Sequence, residues 1–548
     1  MKISAKKGLV ILLILPTILF SQKEIEKVAQ WTTHEITLTA AEKYKNPYTD
    51  VDVWAIYTNS SGDSLKRPAF WNGGNDWKIR FSPPDINVSW TWKTFSSNRE
   101  DTGLNGKKGG LYSIPYAGKN RLIKNGLLKM SAAHRGVVHQ SGKSFFMVGD
   151  TPWAMPFRAT LDQVEAYAKD RQVKGFNTAL IMTLQPDVNA EGPNVRNVEQ
   201  GFKRAFKDLS NGHINEIDLE YFNHLDELVV ILLNHEIVPV YQPVFHGFGW
   251  KGLQVLGSKI APHEYVRYTK YLLARYGSSP AFWLIAADHD ANDPGVRESG
   301  AMLENWDCYQ QPTGLHYNPC DDFVAEWAKN DPSKHCMHYN KTHQKEQWLD
   351  FQWAQTGHSG DHQYHKVARM YDNLPTKAVA NGESTYEGMN AGKNGLGWWQ
   401  GEDAWMQLMH GGTMGVVYGA AALWQWKVSA NEEGWGAWAD QPLSWKSALK
   451  LEGAKYVGLI GKILRETDMA DIEKRWDLAD GLPLLAKEGE LYLSYLQNGG
   501  VITIKNLPQN LNYSWKNPKT GKTEISGITT KEAFEAPDKN PWVLLIRQ

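Results

Sequence analysis

Two acidic residues, far apart in the chain, stand where a hydrolase would keep its chemistry. Glu383 lies in KAVANGESTYEG (377–388), after the small and β-branched Ala378, Val379 and Ala380 and after Asn381-Gly382, which reads as the break ending a buried strand. Asp288 closes AFWLIAAD (281–288), a near-continuous apolar run. An acid at the C-terminal end of a barrel strand is the position from which (β/α)8 enzymes work. Two carboxyl groups brought together there can cleave a glycosidic bond. One protonates the leaving oxygen, and the other attacks the sugar or activates water. Their separation decides between retention and inversion, and it is not written in the sequence.

Other residues compete for these roles or would support them. Asp290 lies two residues beyond Asp288, Glu387 four beyond Glu383, and Glu402 and Asp403 follow Trp398-Trp399-Gln400. Asp288 and Glu383 are preferred because they sit nearest the strand ends. Asp150 in GDTPWAM and Asp187 in MTLQPD could accept hydrogen bonds from sugar hydroxyls, and Asp150 reads equally well as a helix cap. His246 in VFHGFGW is a hydroxyl ligand or a structural histidine. Glu387, Trp153, Trp250, Trp398, Trp399 and Trp424 are expected around the substrate, since sugar C–H faces stack on aromatic planes, although each Trp suits a core equally.

The elements that must position these residues alternate. After about residue 127, apolar runs at 144–150, 176–184, 237–245 and 281–288 are separated by helical periods such as 220–235 and 263–276. Weaker strands are expected at 313–316, 349–353, 378–382 and 414–418, with a helix at 361–374 and another around 405–409. Apolar strands between amphipathic helices imply a parallel sheet covered by helices. Polar residues collect after the strands, and no Gly-rich phosphate loop follows the first one, so a (β/α)8 barrel is favoured over a doubly wound sheet. Before it, residues 22–120 alternate in short strands between turn clusters such as NSSGD and NGGND, as in a β-sandwich that packs on the barrel rather than binding sugar. After it, 470–548 reads as a small all-β unit, which leaves 127–468 for the barrel.

The 548 residues carry a formal net charge of −1, which argues against nucleic acid or an anionic membrane surface as partner. The 24 Trp residues fit a large aromatic core and, more weakly, sugar binding. Residues 1–21 show Lys2, Lys6 and Lys7, then a short apolar run, then Ser21, the pattern of a secretory signal peptide without a lipoprotein cysteine. A periplasmic or secreted protein with no membrane span in its mature part is expected. Cys308, Cys320 and Cys336 lie in one segment and allow at most one bridge. His316, His335 and His338 share that segment, but no CxxC or HExxH spacing supports zinc, so no metal and no cofactor are expected. The polar stretch 318–345 reads as a loop large enough to cover a site.

The motifs GDTPWAM, MTLQPD, PVFHGFGWKG, RYTKYLLARYGSSPAFWLIAADHD, VANGESTYEGM, GWWQGEDAW and GGTMGVVYGAAALWQWK together resemble the apiosidase-like glycoside hydrolases, of the glycoside hydrolase family 140 type. The resemblance covers essentially the whole chain after the leader. It implies a β-sandwich, a (β/α)8 barrel and a small β-domain in that order, and an exo-acting release of a terminal sugar from a complex plant or algal glycan. It implies that Asp288, matching the acid after the fourth strand, is the general acid/base, and that Glu383, matching the acid after the seventh, is nucleophile or base. The Cys-bearing stretch 308–345 departs from the family's pattern and bears on which sugar is accepted. Two other classes remain open. One is a carbohydrate-binding surface protein on an inactive barrel. The other is a metal-dependent hydrolase using Asp150, His246 and Asp288.

Overall fold

The computed structural model describes residues 25–186, 204–247, 255–289, 291–317, 341–389, 395–432 and 441–548. At its centre eight parallel strands close a barrel: β1 (Met147–Asp150), β2 (Thr178–Met182), β3 (Val238–Gln242), β4 (Phe282–Leu284), β5 (Thr313–His316), β6 (Phe351–Gln355), β7 (Ala378–Glu383) and β8 (Gly415–Tyr418). β8 pairs back onto β1, with Met147 opposite Gly415 and Asp150 opposite Tyr418. Every residue of these strands is buried, because one face fills the barrel and the other meets helices, which is why the first four lie in long apolar runs, while β5, β6 and β7 carry buried polar residues and read more weakly.

The helices announce themselves by their caps. Helix α1 (Leu161–Lys174) is capped by the Thr160 side chain and ends at Gly175, whose φ of 113° is the left-handed stop that glycine allows. Helix α2 (Leu219–Asn234) starts at the Asp218 cap and buries Tyr221, Phe222, Leu225, Leu228, Val229 and Leu232, the stripe expected of its period. Helices α3 (Pro262–Tyr276), α4 (Val296–Trp306), α5 (Tyr364–Tyr371), α6 (Trp398–Met409) and α7 (Gly453–Leu464) complete the described part of the outer ring.

Three local expectations are corrected. Ser144–Phe145 does not belong to β1; it pairs antiparallel with Val137–His139 in a small separate sheet. β6 lies two residues later than its apolar run suggested. β4 ends at Leu284, four residues before Asp288. Beyond it the chain still follows its neighbours: Ile285 N–H donates to Gly314 O, His316 N–H to Ala286 O at 3.0 Å, and Gly247 N–H to Ala287 O at 3.1 Å. Asp288 is therefore delivered to the mouth by an extended segment held from both sides.

The N-terminal region forms a five-stranded and a three-stranded sheet around Tyr57, Phe81 and Trp90, with Tyr57 and Phe81 stacked at 3.9 Å. It docks on α2, on α3 and the turn after it, and on the loop after α4. Arg80 reaches Asp226 at 2.8 Å, Ser82 Oγ donates to Ser278 O at 2.6 Å, and the Tyr309 hydroxyl lies in the sandwich core. The C-terminal all-β region packs on α6, where Trp405 stacks on Tyr495 at 5.8 Å. Its strand Thr523–Ile528 escaped the sequence reading because it is an exposed edge with almost no apolar alternation. Among the described residues no helix is long and apolar enough to cross a membrane.

Candidate active site

Glu383 owes its placement to an irregularity in β7. Along the β6–β7 pairing Ala354 faces Asn381, but Gln355 faces Glu383, so Gly382 is an extra residue, a bulge. A bulge re-aims the side chain that follows it, and such irregularities gather at barrel rims and active sites. Gly382 is required there because a Cβ would come 1.6 Å from the Trp353 indole nitrogen. The strand thus does not break at Asn381-Gly382; both residues stay inside it and Glu383 is its last residue. Asp288, on the facing side, has φ 59°, a left-handed backbone that Asp tolerates better than most residues. One oxygen of each carboxylate, with one nitrogen of His316, lie within 4.8 Å of one another. Asp288 is 5% and Glu383 9% exposed, so the pair is buried yet not sealed.

Two histidines bracket Glu383. His358 Nε2 lies 3.0 Å from Oε1, and His316 Nε2 makes a bent contact at 3.0 Å with Oε2. The far nitrogen of His358 faces the Tyr386 backbone N–H at 3.4 Å, and that of His316 faces the Gln242 amide nitrogen at 3.4 Å. Burial alone would raise the Glu383 carboxyl, but the facing imidazole N–H groups of His316 and His358 outweigh it and hold the group well below the usual carboxylate range. Glu383 therefore stays an anion. The Tyr386 phenol is pushed well above its usual range, first by burial and then by the charges of Glu383 and Asp288, and so remains a proton donor beside both acids. Gln242, His316, His358 and Tyr386 were missed as site residues. Gln242 and His316 are the last residues of β3 and β5, so the strand-end argument that found Asp288 applied to them too.

The aromatic wall is partly as expected. Trp153 and Trp424 sit 6.0 Å apart, with Trp424 6.4 Å from Tyr386, and Phe245 lies 5.3 Å from Trp153. His246 is buried next to the segment carrying Asp288, with its backbone N–H 3.3 Å from Ala287 O. Asp187, Trp250 and the rival Asp290 lie outside the described residues, as do Cys320 and Cys336; Cys308 carries a free thiol.

Four expected site residues are placed elsewhere. Asp150 is fully buried, with Arg171 Nε at 2.5 Å on one oxygen and the Thr151 N–H at 2.9 Å on the other. It neither meets a sugar nor caps a helix; it neutralises an arginine inside the barrel wall. Because Asp150 is spent on Arg171, it does not join Asp288 and His246 as a metal set. Glu387 is also saturated, by the Tyr418 hydroxyl at 2.6 Å and the N–H groups of Gly397 and Gly453, and it ties the loop after β7 to α6 and α7. Burial pushes its carboxyl up. Trp398 packs edge-on against Tyr456 with Lys519 over its ring, a joint to the C-terminal region. Trp399 stacks on His362 at 4.6 Å. The rivals Glu402 and Asp403 both engage that same His362, at 3.6 and 2.9 Å.

A family model described as the apiosidase-like catalytic domain matches residues 131–471. The chain belongs to the apiosidase-like family. A second model, a domain of unknown function (DUF5060), matches residues 27–97 of the N-terminal sandwich. No curated protein sequence matches the chain. Among solved structures, a Bacteroides vulgatus protein described as a candidate glycoside hydrolase superposes with a TM-score of 0.66 at 18% identity, over 95% of this chain and 99% of its own. A glycoside hydrolase family 5 protein from Bacteroides vulgatus gives 0.60 at 19% identity, over 78% of this chain and 94% of its own. At these identities the superpositions speak for the fold. Family and fold together make this apiosidase-like chain a glycoside hydrolase.

Proposed function

We propose that the protein is an exo-acting, retaining glycoside hydrolase in which Glu383 is the nucleophile and Asp288 the general acid/base. The observation that carries this is the bracketing of Glu383 by His316 and His358 with an Asp288 oxygen no more than 4.8 Å from it. A carboxylate held as an anion cannot protonate a leaving oxygen, so the acid falls to Asp288. Nearest oxygens this close favour the roughly 5 Å spacing of retaining enzymes over the wider spacing that inversion needs for its water. In the first step Asp288 gives its proton to the glycosidic oxygen while Glu383 attacks the anomeric carbon. In the second, Asp288 takes a proton from water, which displaces the sugar from Glu383.

The burial of both acids favours approach by a chain end over a chain middle, which supports exo action. The family supports a complex plant or algal glycan as substrate, and the basic-then-apolar leader at 1–21 supports export to the periplasm or beyond. Incubation with a panel of plant and algal oligosaccharides should release a monosaccharide, and proton NMR should show it first with the anomeric configuration of the substrate. First appearance of the opposite anomer would overturn retention. Asp288→Asn should nearly abolish release from natural glycosides but spare the first step on aryl glycosides whose leaving group needs no proton.

One observation favours a second reading. Asp288, His316 and Glu383 offer a carboxylate–imidazole–carboxylate set of the type that holds a divalent cation. Activity lost in chelator and restored by added metal would favour it over the two-carboxylate mechanism.

A further inference from the structure

His316 could serve this pocket either as an N–H donor or as a metal ligand, and the choice is made behind it. Trp153 Nε1 can only donate, and it lies 2.6 Å from Gln242 Oε1. That contact fixes the amide: its oxygen must face the indole, so its NH2 must face His316 Nδ1, at 3.4 Å. An imidazole nitrogen facing an N–H donor presents its lone pair. The ring proton of His316 therefore sits on Nε2, the atom beside Glu383. All three residues of this chain are buried: Trp153 on the segment after β1, Gln242 at the end of β3 and His316 at the end of β5.

We propose that Gln242, clamped by Trp153, is a tautomer lock that keeps His316 a proton donor between Asp288 and Glu383 and thereby denies these three residues to a divalent cation. A metal needs the Nε2 lone pair, which would move the proton to Nδ1. There it would meet the Gln242 NH2. Rotating the amide to accept it would turn NH2 against the Trp153 N–H, and no conformation of the amide serves both neighbours. Gln242 and Trp153 are thus positioning residues, acting on the carboxylate pair through His316. Metal-binding histidines show the opposite arrangement, with an acceptor, commonly a carboxylate, behind the ligating ring. The inference deepens the assignment of Glu383 as an unmetallated nucleophile but uses only the donor and acceptor chemistry of the four side chains.

The test uses the full chain with 15N-labelled histidine, read by long-range proton–nitrogen NMR, and titration with Co2+ followed by calorimetry and visible absorption. His316 of the wild type should carry its proton on Nε2, and the wild type should show no Co2+ uptake that His316→Ala abolishes. Gln242→Glu keeps an acceptor for Trp153 but faces His316 with another acceptor. It should move the proton to Nδ1 and create a site for one Co2+, lost again when His316→Ala is added. Trp153→Phe, which keeps the ring packing and removes the N–H, should free the amide and let the second tautomer of His316 appear. A wild-type Nδ1–H form, His316-dependent metal uptake by the wild type, or an unchanged tautomer in Gln242→Glu would each overturn the lock. None of these readouts uses turnover. If Glu383→Gln retains full activity while the tautomer and metal results hold, the two-carboxylate mechanism fails and the lock stands.

Discussion

Two histidine–carboxylate clusters stand near the C-terminal side of the barrel, built from the same residue types in opposite proportion. At Glu383 one carboxylate receives two imidazoles, His316 and His358, both at 3.0 Å. At His362 one imidazole receives two carboxylates, Asp403 at 2.9 Å and Glu402 at 3.6 Å, and it is also covered by the Trp399 ring. Where donors are in excess, the carboxylate is the charged member and is held as an anion. Where carboxylates are in excess, the histidine is the charged member: burial works against its charge, but Asp403 and Glu402 push it up to about 9. The second cluster closes on itself, with Glu402 further bound to Gln497 of the C-terminal region at 2.9 Å. The first keeps an accessible anion beside Asp288. Residue type alone does not tell which member of such a cluster is held charged; the count of donors and acceptors around it does.

The comparison breaks most visibly at Glu383. Replacing it with Gln should lower kcat by on the order of a thousandfold or more while the unfolding midpoint changes little, measured on any glycan the enzyme turns over. A residual rate near wild type would remove Glu383 from the mechanism. The corresponding change at the other cluster, Glu402→Gln, should leave kcat within about twofold, since Glu402, on α6, touches His362 and Gln497 and neither Asp288 nor Glu383.

Next comes the bulge. Gly382→Ala forces the Trp353 indole or the strand to move, because the added carbon would meet Trp353 Nε1 at 1.6 Å. Displacing a catalytic group by about 1 Å can cost on the order of a hundredfold in rate. Activity should therefore fall more steeply than stability, read as kcat against thermal midpoint. Unchanged kinetics would mean that the bulge does not aim Glu383.

A smaller effect sharpens the electrostatic side. Glu383 is depressed below its ordinary value, so its charge and its share of folding stability persist above that value and are lost only as pH falls through the lower one. The acid limb of kcat/KM should lie below the usual carboxylate range. His358→Ala removes one donor and should move that limb to higher pH, with kcat at the optimum lowered by about tenfold. An acid limb that does not move would show that the histidine contributes nothing to holding the anion.

The smallest effect belongs to His362. Its folded value, about 9, is raised above the unfolded 6.5. The stabilisation it contributes is therefore complete below about pH 6.5 and is lost as pH rises through about 9. The wild-type unfolding midpoint should decline across that window. His362→Gln should lower the midpoint at pH 6 by about 2–4 °C for each kcal/mol lost and flatten the decline. An equal slope in both proteins would place the titration elsewhere.

How much of this was legible beforehand follows from how each feature is encoded. The first four barrel strands showed as apolar runs because both faces of each are buried, and α2 showed because its cap and its stripe agree. Asp288 and Glu383 could be found because the barrel puts strand ends around one mouth, and the motifs around them carry the family. The bulge at Gly382 was read as the break ending the strand, since a glycine under an indole and a glycine at a strand end look alike in one dimension. Asp150 looked like a sugar ligand because its partner, Arg171, lies a full helix away on α1, and nothing local distinguishes a paired acid from a waiting one. Trp398 and Trp399 looked like a platform and are packing, one on Tyr456 and the other on His362.

By itself, then, the sequence determined the class of fold and the order of its three parts, and it pointed to two acids, because periodicity, caps and strand ends are local properties of the chain. Only the tertiary structure decided which aspartate is walled in by arginine, which histidines bracket Glu383, and which side chains stand behind His316. Those depend on donors counted across strands remote in the chain: Trp153 beyond β1, Gln242 on β3, His316 on β5 and Glu383 on β7 come within hydrogen-bond reach of one another only when the barrel closes.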